Sequence, residues 1–566
     1  MDVSKEGGIY RGSSKNCNRK GFSSSGVFQL FADVIDKWAH KEKDGEKESD
    51  HPALWWVDGE GKEVKWSFQD LSSNSKRAAN VLRTAANITP GDKVMVLVHR
   101  IPEYWLMQVA CLRTGAILVA APANIGPAEL DRRISACKPV CFLAGGDVID
   151  NDLLNVIDQF SSSPVNTVKC RLMVNRMKQT NRVGWLSFEE LFQHASNEHE
   201  SVKSLSSAPI TIVFTSGTTG NSKMVEHSQA SWGLSNRMDM GKTGAGIIQS
   251  DLVWLQSSTG WVILLARALR SWSVGAGLFF HYKDITPREA LETFQKFPVT
   301  FALLLPSMYI GAAKEDLKSF NFPTLNCCTT TGEPMNKLVT LKWKQETGID
   351  LRTDYGQTET GLLCVPPRDG ENRIGSVGKA FHGVDVVIID DNNQEVCPGK
   401  LGRVVVRVKP YRPVGMFNRY VDDPQSMAAR FSGDFYITDD LGFKDEDGYF
   451  WIVGRTDDII FLNAVNINPY DVEECLMTHP AVQQCAVVSS PDSLGQAAVK
   501  AFVVLSNEFK NKEQDEMMKE LQDHVQKSAG AWMSPAKMEF VNGLPTTITG
   551  KINRKELKQK EWKSTI

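Results

Sequence analysis

From about residue 52 to residue 305, short apolar runs rich in β-branched residues alternate with longer stretches of helical periodicity. Residues 93–98 (KVMVLV) and 210–214 (ITIVF) are of the first kind, residues 72–84 of the second. This pattern leaves few architectures, because parallel strands need a crossover, usually a helix, which covers the sheet. The expected fold class is α/β, with a large amino-terminal domain of βαβ sheets. Before it, Phe31, Val34, Ile35 and Trp38 mark an amphipathic helix within residues 27–50. After Gly375 the texture changes to short strands (384–389, 403–408, 449–453) joined by polar turns, a small β-barrel-like region. From Asp457 a helix (469–477), two strands (485–489, 499–504) and a charged helix (512–528) predict a small, mobile α+β carboxy-terminal domain. The expected division is a candidate targeting segment at 1–26, a large domain at 27–456 and a small one at 457–566.

Composition narrows the function. The 64 basic and 67 acidic residues leave a formal charge of −3, which removes the electrostatic case for a nucleic-acid or membrane-surface binder. No apolar stretch reaches the roughly 18 residues of a spanning helix. The 11 cysteines are an odd number with no CxxC pair, so free thiols in a reducing compartment are expected rather than a zinc site or disulfide frame. Residues 1–26 carry Lys5, Arg11, Lys15, Arg19, Lys20 and several serines, as a transit segment does, although Asp2 and Glu6 break its acid-poor pattern.

The chemistry begins directly after the apolar run at 210–214. Thr215, Ser216, Gly217, Thr218, Thr219, Gly220, Asn221, Ser222 and Lys223 form a loop of small residues ending in a cation. Such a loop lets backbone N–H groups and hydroxyls close around phosphate oxygens, and Lys223 adds a mobile positive charge. It is not a Walker loop, which has Gly directly before the Lys.

With its companions, this loop resembles the signature of the adenylate-forming superfamily, and Met224, Glu226 and His227 resemble its medium-chain acyl-CoA synthetase branch. Further similar motifs are ALWWVDGEGKE (53–63), TGEP (331–334), YGQTETGL (355–362), RVKPYRP (407–413), DEDGYFWIVGR (445–455) and TGKINRKEL (549–557). The resemblance implies an ATP- and Mg2+-dependent enzyme that activates a small-molecule carboxylic acid as acyl-AMP and passes it to coenzyme A, in the mitochondrial matrix. It places Thr358 on the α-phosphate, Glu359 on the metal, and Thr353, Asp354, Tyr355, Gly356 and Gln357 along the adenine. It gives Asp440 the ribose hydroxyls, Arg455 and Asn466 the nucleotide's sugar or phosphates, and Lys551 and Lys223 the charge of the adenylation step. Asp457 falls at the hinge. Trp261, after Thr259 and Gly260, and Leu305 fall at the acyl pocket, where Leu304 and Leu305 are expected to shorten it.

The chain departs from the pattern at several positions. Asp439 stands where the family has Gly, and Ser222 where it has Pro. On the expected CoA face, Asn463, Ala464, Val465, Asn466 and Asn468 replace a Gly- and Arg-containing stretch, and Gly495 stands for an Arg. Two rival readings therefore stay open: an adenylating enzyme impaired in CoA transfer, and a silent relative that binds nucleotide or acid. Against silence stand Lys223, Glu359, Asp440, Arg455 and Lys551, since a pure binder has little need of the mobile lysine.

Overall fold

The structure, a computed structural model, describes residues 30–47, 50–162, 168–215, 222–238, 246–462, 465–492, 496–547 and 551–563. Two large sheets dominate the amino-terminal part. In the first, Leu54–Val57, Gly277–His281, Leu252–Leu255, Phe301–Leu303, Cys327–Thr331 and Leu351–Gln357 run parallel, with antiparallel strands at both edges. In the second, Lys93–Leu97, Ile117–Ala120, Cys141–Gly145, Cys170–Val174 and Pro209–Thr215 run parallel, and Lys223–Ser228 turns back against the last of them.

Two helices lie between the sheets, Pro102–Thr114 and Val262–Val274. Every residue of the first is buried, as a helix apolar on all sides must be. Tyr104, Trp105, Leu264, Leu265 and Trp272 pack in one cluster with Val94 and Leu118 of one sheet and Trp56, Leu255 and Phe280 of the other. Two of them also bond across the interface: the Tyr104 hydroxyl donates to the Thr259 carbonyl (2.6 Å) and the Trp272 indole to that of Ala53 (2.8 Å). This shared core fixes both sheets relative to the segment at 259–263.

The expected barrel-like region is a five-stranded antiparallel sheet built on Gly402–Arg407, Phe435–Lys444 and Phe450–Arg455. The small domain has the three-stranded sheet Val482–Pro491, Ala497–Leu505 and Lys537–Phe540, covered by helices Pro469–Leu476 and Gln514–Ala529. Among the described residues no helix is long and apolar enough to cross a membrane.

The first helix, Leu30–Lys43, is tied down by charge as well as packing. The fully buried Arg113 donates to both Asp36 oxygens (2.6 and 3.0 Å) and to Ser75 (2.9 Å). Burial raises the Asp36 carboxyl, but the Arg113 guanidinium and the Ser72 hydroxyl outweigh it and hold the pKa below 3.8. Asp36→Ala leaves that guanidinium unpaired and is expected to cost about 3 kcal/mol. Because the folded pKa is depressed, this contribution is full above the ordinary carboxylate value and lost as pH falls through the lowered one. Denaturation of both proteins from neutral to acid pH should show the gap between them closing at low pH.

Candidate active site

A cleft of about 1860 Å³ opens where the carboxyl ends of Cys327–Thr331 and Leu351–Gln357 meet the antiparallel sheet and the small domain. Crevices outside the carboxyl ends of parallel strands are the usual ligand sites of such sheets. Thr215, Lys223, Trp261, Tyr355, Asp440 and Lys551 all line it.

Thr215 and Lys223 pair across antiparallel strands, at the two ends of the loop sequence. Ser216, Gly217, Thr218, Thr219, Gly220 and Asn221 lie outside the described residues. Ser222 donates to Glu129 (3.0 Å). The Lys223 ammonium stands 5.0 Å from the centre of the Tyr420 ring, and the Tyr420 hydroxyl donates to Glu359 (2.8 Å). One aromatic side chain thus connects the lysine to the carboxylate expected on the metal. Among the described residues no group of three or more His, Cys, Asp or Glu could hold a metal. A single buried carboxylate suits Mg2+ when phosphate oxygens and water complete its shell.

The YGQTET segment turns from Leu351–Gln357 into the antiparallel Gly361–Val365, with a register shift at Tyr355/Gly356. The turn is so close that a Cβ on Gly356 would sit 2.1 Å from the Gly361 carbonyl oxygen. His227 donates through Nε2 to the Thr358 carbonyl (2.7 Å). Burial lowers His227 to about 4, so it is neutral at physiological pH and acts as a fixed donor.

Asp440 is caged. Its Oδ2 accepts from the Tyr355 hydroxyl (2.5 Å) and the Gln357 amide (2.9 Å), and Arg455 lies 3.9 Å from Oδ1. Burial raises its pKa, while Arg455 and the two hydrogen bonds oppose the rise. Asp439 does not crowd this cage as its charge alone would suggest. It adopts φ +64°, the left-handed region that the family's Gly supplies and that Asp tolerates, and its carboxylate is neutralised by Arg430 and, at 3.5 Å, by Arg455. Arg455 also binds the Asp457 carboxylate (2.9 Å), which joins the expected hinge residue to the site.

Lys551 enters from the small domain. Its ammonium lies 5.3 Å from the centre of the Trp261 ring. Between them is Gly332, at φ +91°, where a Cβ would meet the Trp261 ring at 2.9 Å and Lys551 Cε at 3.3 Å. Burial lowers the Lys551 pKa, with Glu333 and Asp440 acting against it. The lysine's backbone is held on both sides: Thr547 donates to its carbonyl (2.7 Å), and the buried Arg554 binds Glu473 (2.5 Å) and stacks on Tyr470.

Other expected positions fall elsewhere. Leu304 and Leu305 do not line the cleft: Leu304 sits in the core beneath its own sheet, and Leu305 packs on the cluster between the sheets, so neither shortens a pocket. Asp354 does line the cleft, but it pairs with Arg267 rather than standing free toward a base. Asn468 caps helix Pro469–Leu476 at φ −81°, so the left-handed freedom of the family's Gly is not needed there. Asn463, Ala464 and Gly495 lie outside the described residues; Val465 and Asn466 are described only as backbone on a short strand. The motifs alone did not point to Tyr420, Arg430 or Glu473 as part of the site.

The AMP-binding enzyme family model matches residues 41–420, and that of the AMP-binding enzyme C-terminal domain matches residues 471–551. The mitochondrial acyl-coenzyme A synthetase ACSM4 of Homo sapiens is 43% identical over 95% of this chain and 91% of its own length. The mitochondrial acyl-coenzyme A synthetase ACSM2 of Rattus norvegicus is 41% identical over 95% and 92%. An anthranilate CoA ligase solved with anthranoyl-AMP shares the fold with a TM-score of 0.81 at 23% identity, covering 95% of this chain and 98% of that one. A benzoate CoA ligase from Burkholderia xenovorans does so with a TM-score of 0.78 at 20% identity, covering 94% and 100%.

The tight turn at Gly356 yields a test that needs no ligand. Gly356→Ala should force the Tyr355–Leu362 turn open and loosen the cage on Asp440. Amide hydrogen exchange should rise by at least about tenfold in that turn alone. Unchanged protection would mean the turn accommodates the methyl group.

Proposed function

This chain belongs to the AMP-binding enzyme family, and on that premise we propose that its cleft activates a medium-chain fatty or aromatic carboxylic acid for transfer to coenzyme A. The enzyme is an AMP-forming acid–thiol ligase. The acid's carboxylate oxygen attacks the α-phosphorus of ATP, the bond from that phosphorus to the bridging oxygen breaks, and pyrophosphate leaves. The thiol of coenzyme A then displaces AMP from the acyl-adenylate.

The observation that carries this reading is Lys551 of the small domain, set against Trp261 and facing the caged Asp440. A cation drawn out of water into that position interacts strongly with charge developing on the α-phosphate. Thr358 donates its hydroxyl to the same phosphate, its backbone fixed by neutral His227. Lys223, with the loop from Thr215 to Ser222, holds the leaving phosphates. Asp440 accepts from the ribose hydroxyls, with Arg455 beside it, and Thr353 with Tyr355, Gly356 and Gln357 carries the adenine side, Asp354 being turned to Arg267 instead. Glu359 would hold Mg2+, which supplies charge neutralisation along the phosphates.

The units divide at residues 456/457. After adenylation the small domain turns about Asp457, withdraws Lys551 and brings the 463–466 segment and Gly495 toward the acyl group. The two acyl-coenzyme A synthetases named above are mitochondrial; for this chain we place the reaction in the matrix.

Pyrophosphate exchange into ATP, run with fatty acids from butyrate to laurate and with benzoate, tests adenylation, and thioester formation tests the second step. Both signals are expected; no exchange with any acid would overturn the reading. Lys551→Ala should lower exchange by on the order of 10²–10³-fold while ATP binding stays nearly unchanged. Equal loss of both would remove the role given to Lys551.

A further inference from the structure

The helix Val262–Val274 contributes one face to the cleft: Val262, Ile263, Ala266, Arg267 and Arg270. That face changes character along its length. Beside Trp261 and Lys551 it is apolar; further on it ends in two arginines. At 1.5 Å per residue, Arg267 stands about 9 Å and Arg270 about 13 Å along the axis from Trp261.

Both arginines are only 3% exposed, and Asp354, on the facing strand Leu351–Gln357, is 2% exposed. Arg267 Nη2 donates to Asp354 Oδ2, and the Arg270 guanidinium lies over the Phe381 ring at 5.3 Å. Among the described residues, Arg267 Nη1 and Asp354 Oδ1 are buried without a hydrogen-bond partner. A buried donor and a buried acceptor left unmade in one wall are unfavourable unless something completes them. Nothing in holding an unsubstituted alkyl or phenyl tail requires such groups.

On the reading that the cleft activates a carboxylic acid, we propose that Arg267 and Asp354 form a polar subsite for the acid's far end, selecting an acid that carries a terminal hydroxyl. One hydroxyl satisfies both orphaned atoms, accepting from Arg267 Nη1 and donating to Asp354 Oδ1. The apolar stretch of Val262, Ile263 and Ala266 holds the carbon frame between that hydroxyl and the reacting carboxylate. A tail without a polar end leaves the pair unmade, and sites built to hydrogen-bond a hydroxyl discriminate steeply against the analogue that lacks it.

The test compares octanoate, ω-hydroxyoctanoate and the dicarboxylate suberate in pyrophosphate exchange, using the full chain. The ω-hydroxy acid should exceed octanoate in kcat/KM by at least about tenfold. Arg267→Leu, and separately the near-isosteric Asp354→Asn, should cut that ratio by at least about tenfold while octanoate still supports exchange. Equal or better use of octanoate by the natural sequence overturns the subsite but leaves acid activation standing. Preference for suberate overturns it in favour of a second anion. An unchanged ratio in a variant that still uses octanoate overturns it too, and absence of exchange with every acid removes it together with the activity it rests on.

Discussion

The ammonium of Lys551 is held against an indole ring inside a cleft formed largely by the other domain, and the rest of the site is organised around that contact. Burial disfavours the charge, so the lysine needs carboxylates near it and a rigid approach. Glu333 and Asp440 supply the first. The second comes from the buried Arg554–Glu473 pair, which anchors the chain just beyond the lysine. Removing one partner of such a pair is far more damaging than its net contribution suggests, because the other charge stays buried. Trp261 in turn starts a helix locked between two sheets, so the point where the domains meet is set by the core of the larger one.

The carboxylates beside the lysine show how neighbouring identical residues acquire different tasks. Asp440 and Asp439 are adjacent, yet Asp440 lines the cleft while Asp439 is held by Arg430 and, more distantly, by Arg455. Two free carboxylates at that point would repel an anionic nucleotide. With Asp439 engaged by a guanidinium, the site keeps one acceptor for a sugar and one cation, Arg455, beside it. Burial disfavours the Arg455 charge, but Asp440 and Asp457 outweigh this and hold it more firmly protonated than usual.

Local sequence made much of this legible. The alternation of apolar runs and helical stretches is a short-range signal, and it becomes the two parallel sheets. YGQTET could be read because it holds a turn so close that only Gly fits at position 356. What could not be read is long-range pairing. Arg267 and Asp354 are 87 residues apart, and Arg554 and Glu473 are 81, so no pattern in either stretch announces the other. The same limit explains Leu304 and Leu305: periodicity cannot say which side of a buried strand end faces a cleft and which faces a second core. Asp439 looked like a conflict because its backbone angle, which makes it a substitute for glycine, is invisible in sequence.

The central claim is that this cleft makes an acyl-adenylate and then spends it on a thiol. It is tested most directly by incubating the protein with ATP, Mg2+ and octanoate or ω-hydroxyoctanoate, without coenzyme A, and examining the protein-bound material by mass spectrometry. Acyl-AMP should be retained and should vanish, with the acyl-CoA thioester and AMP appearing, when coenzyme A is added. ATP left intact with both acids would contradict the account at its first step, and acyl-AMP that persists after coenzyme A is added would contradict it at the second.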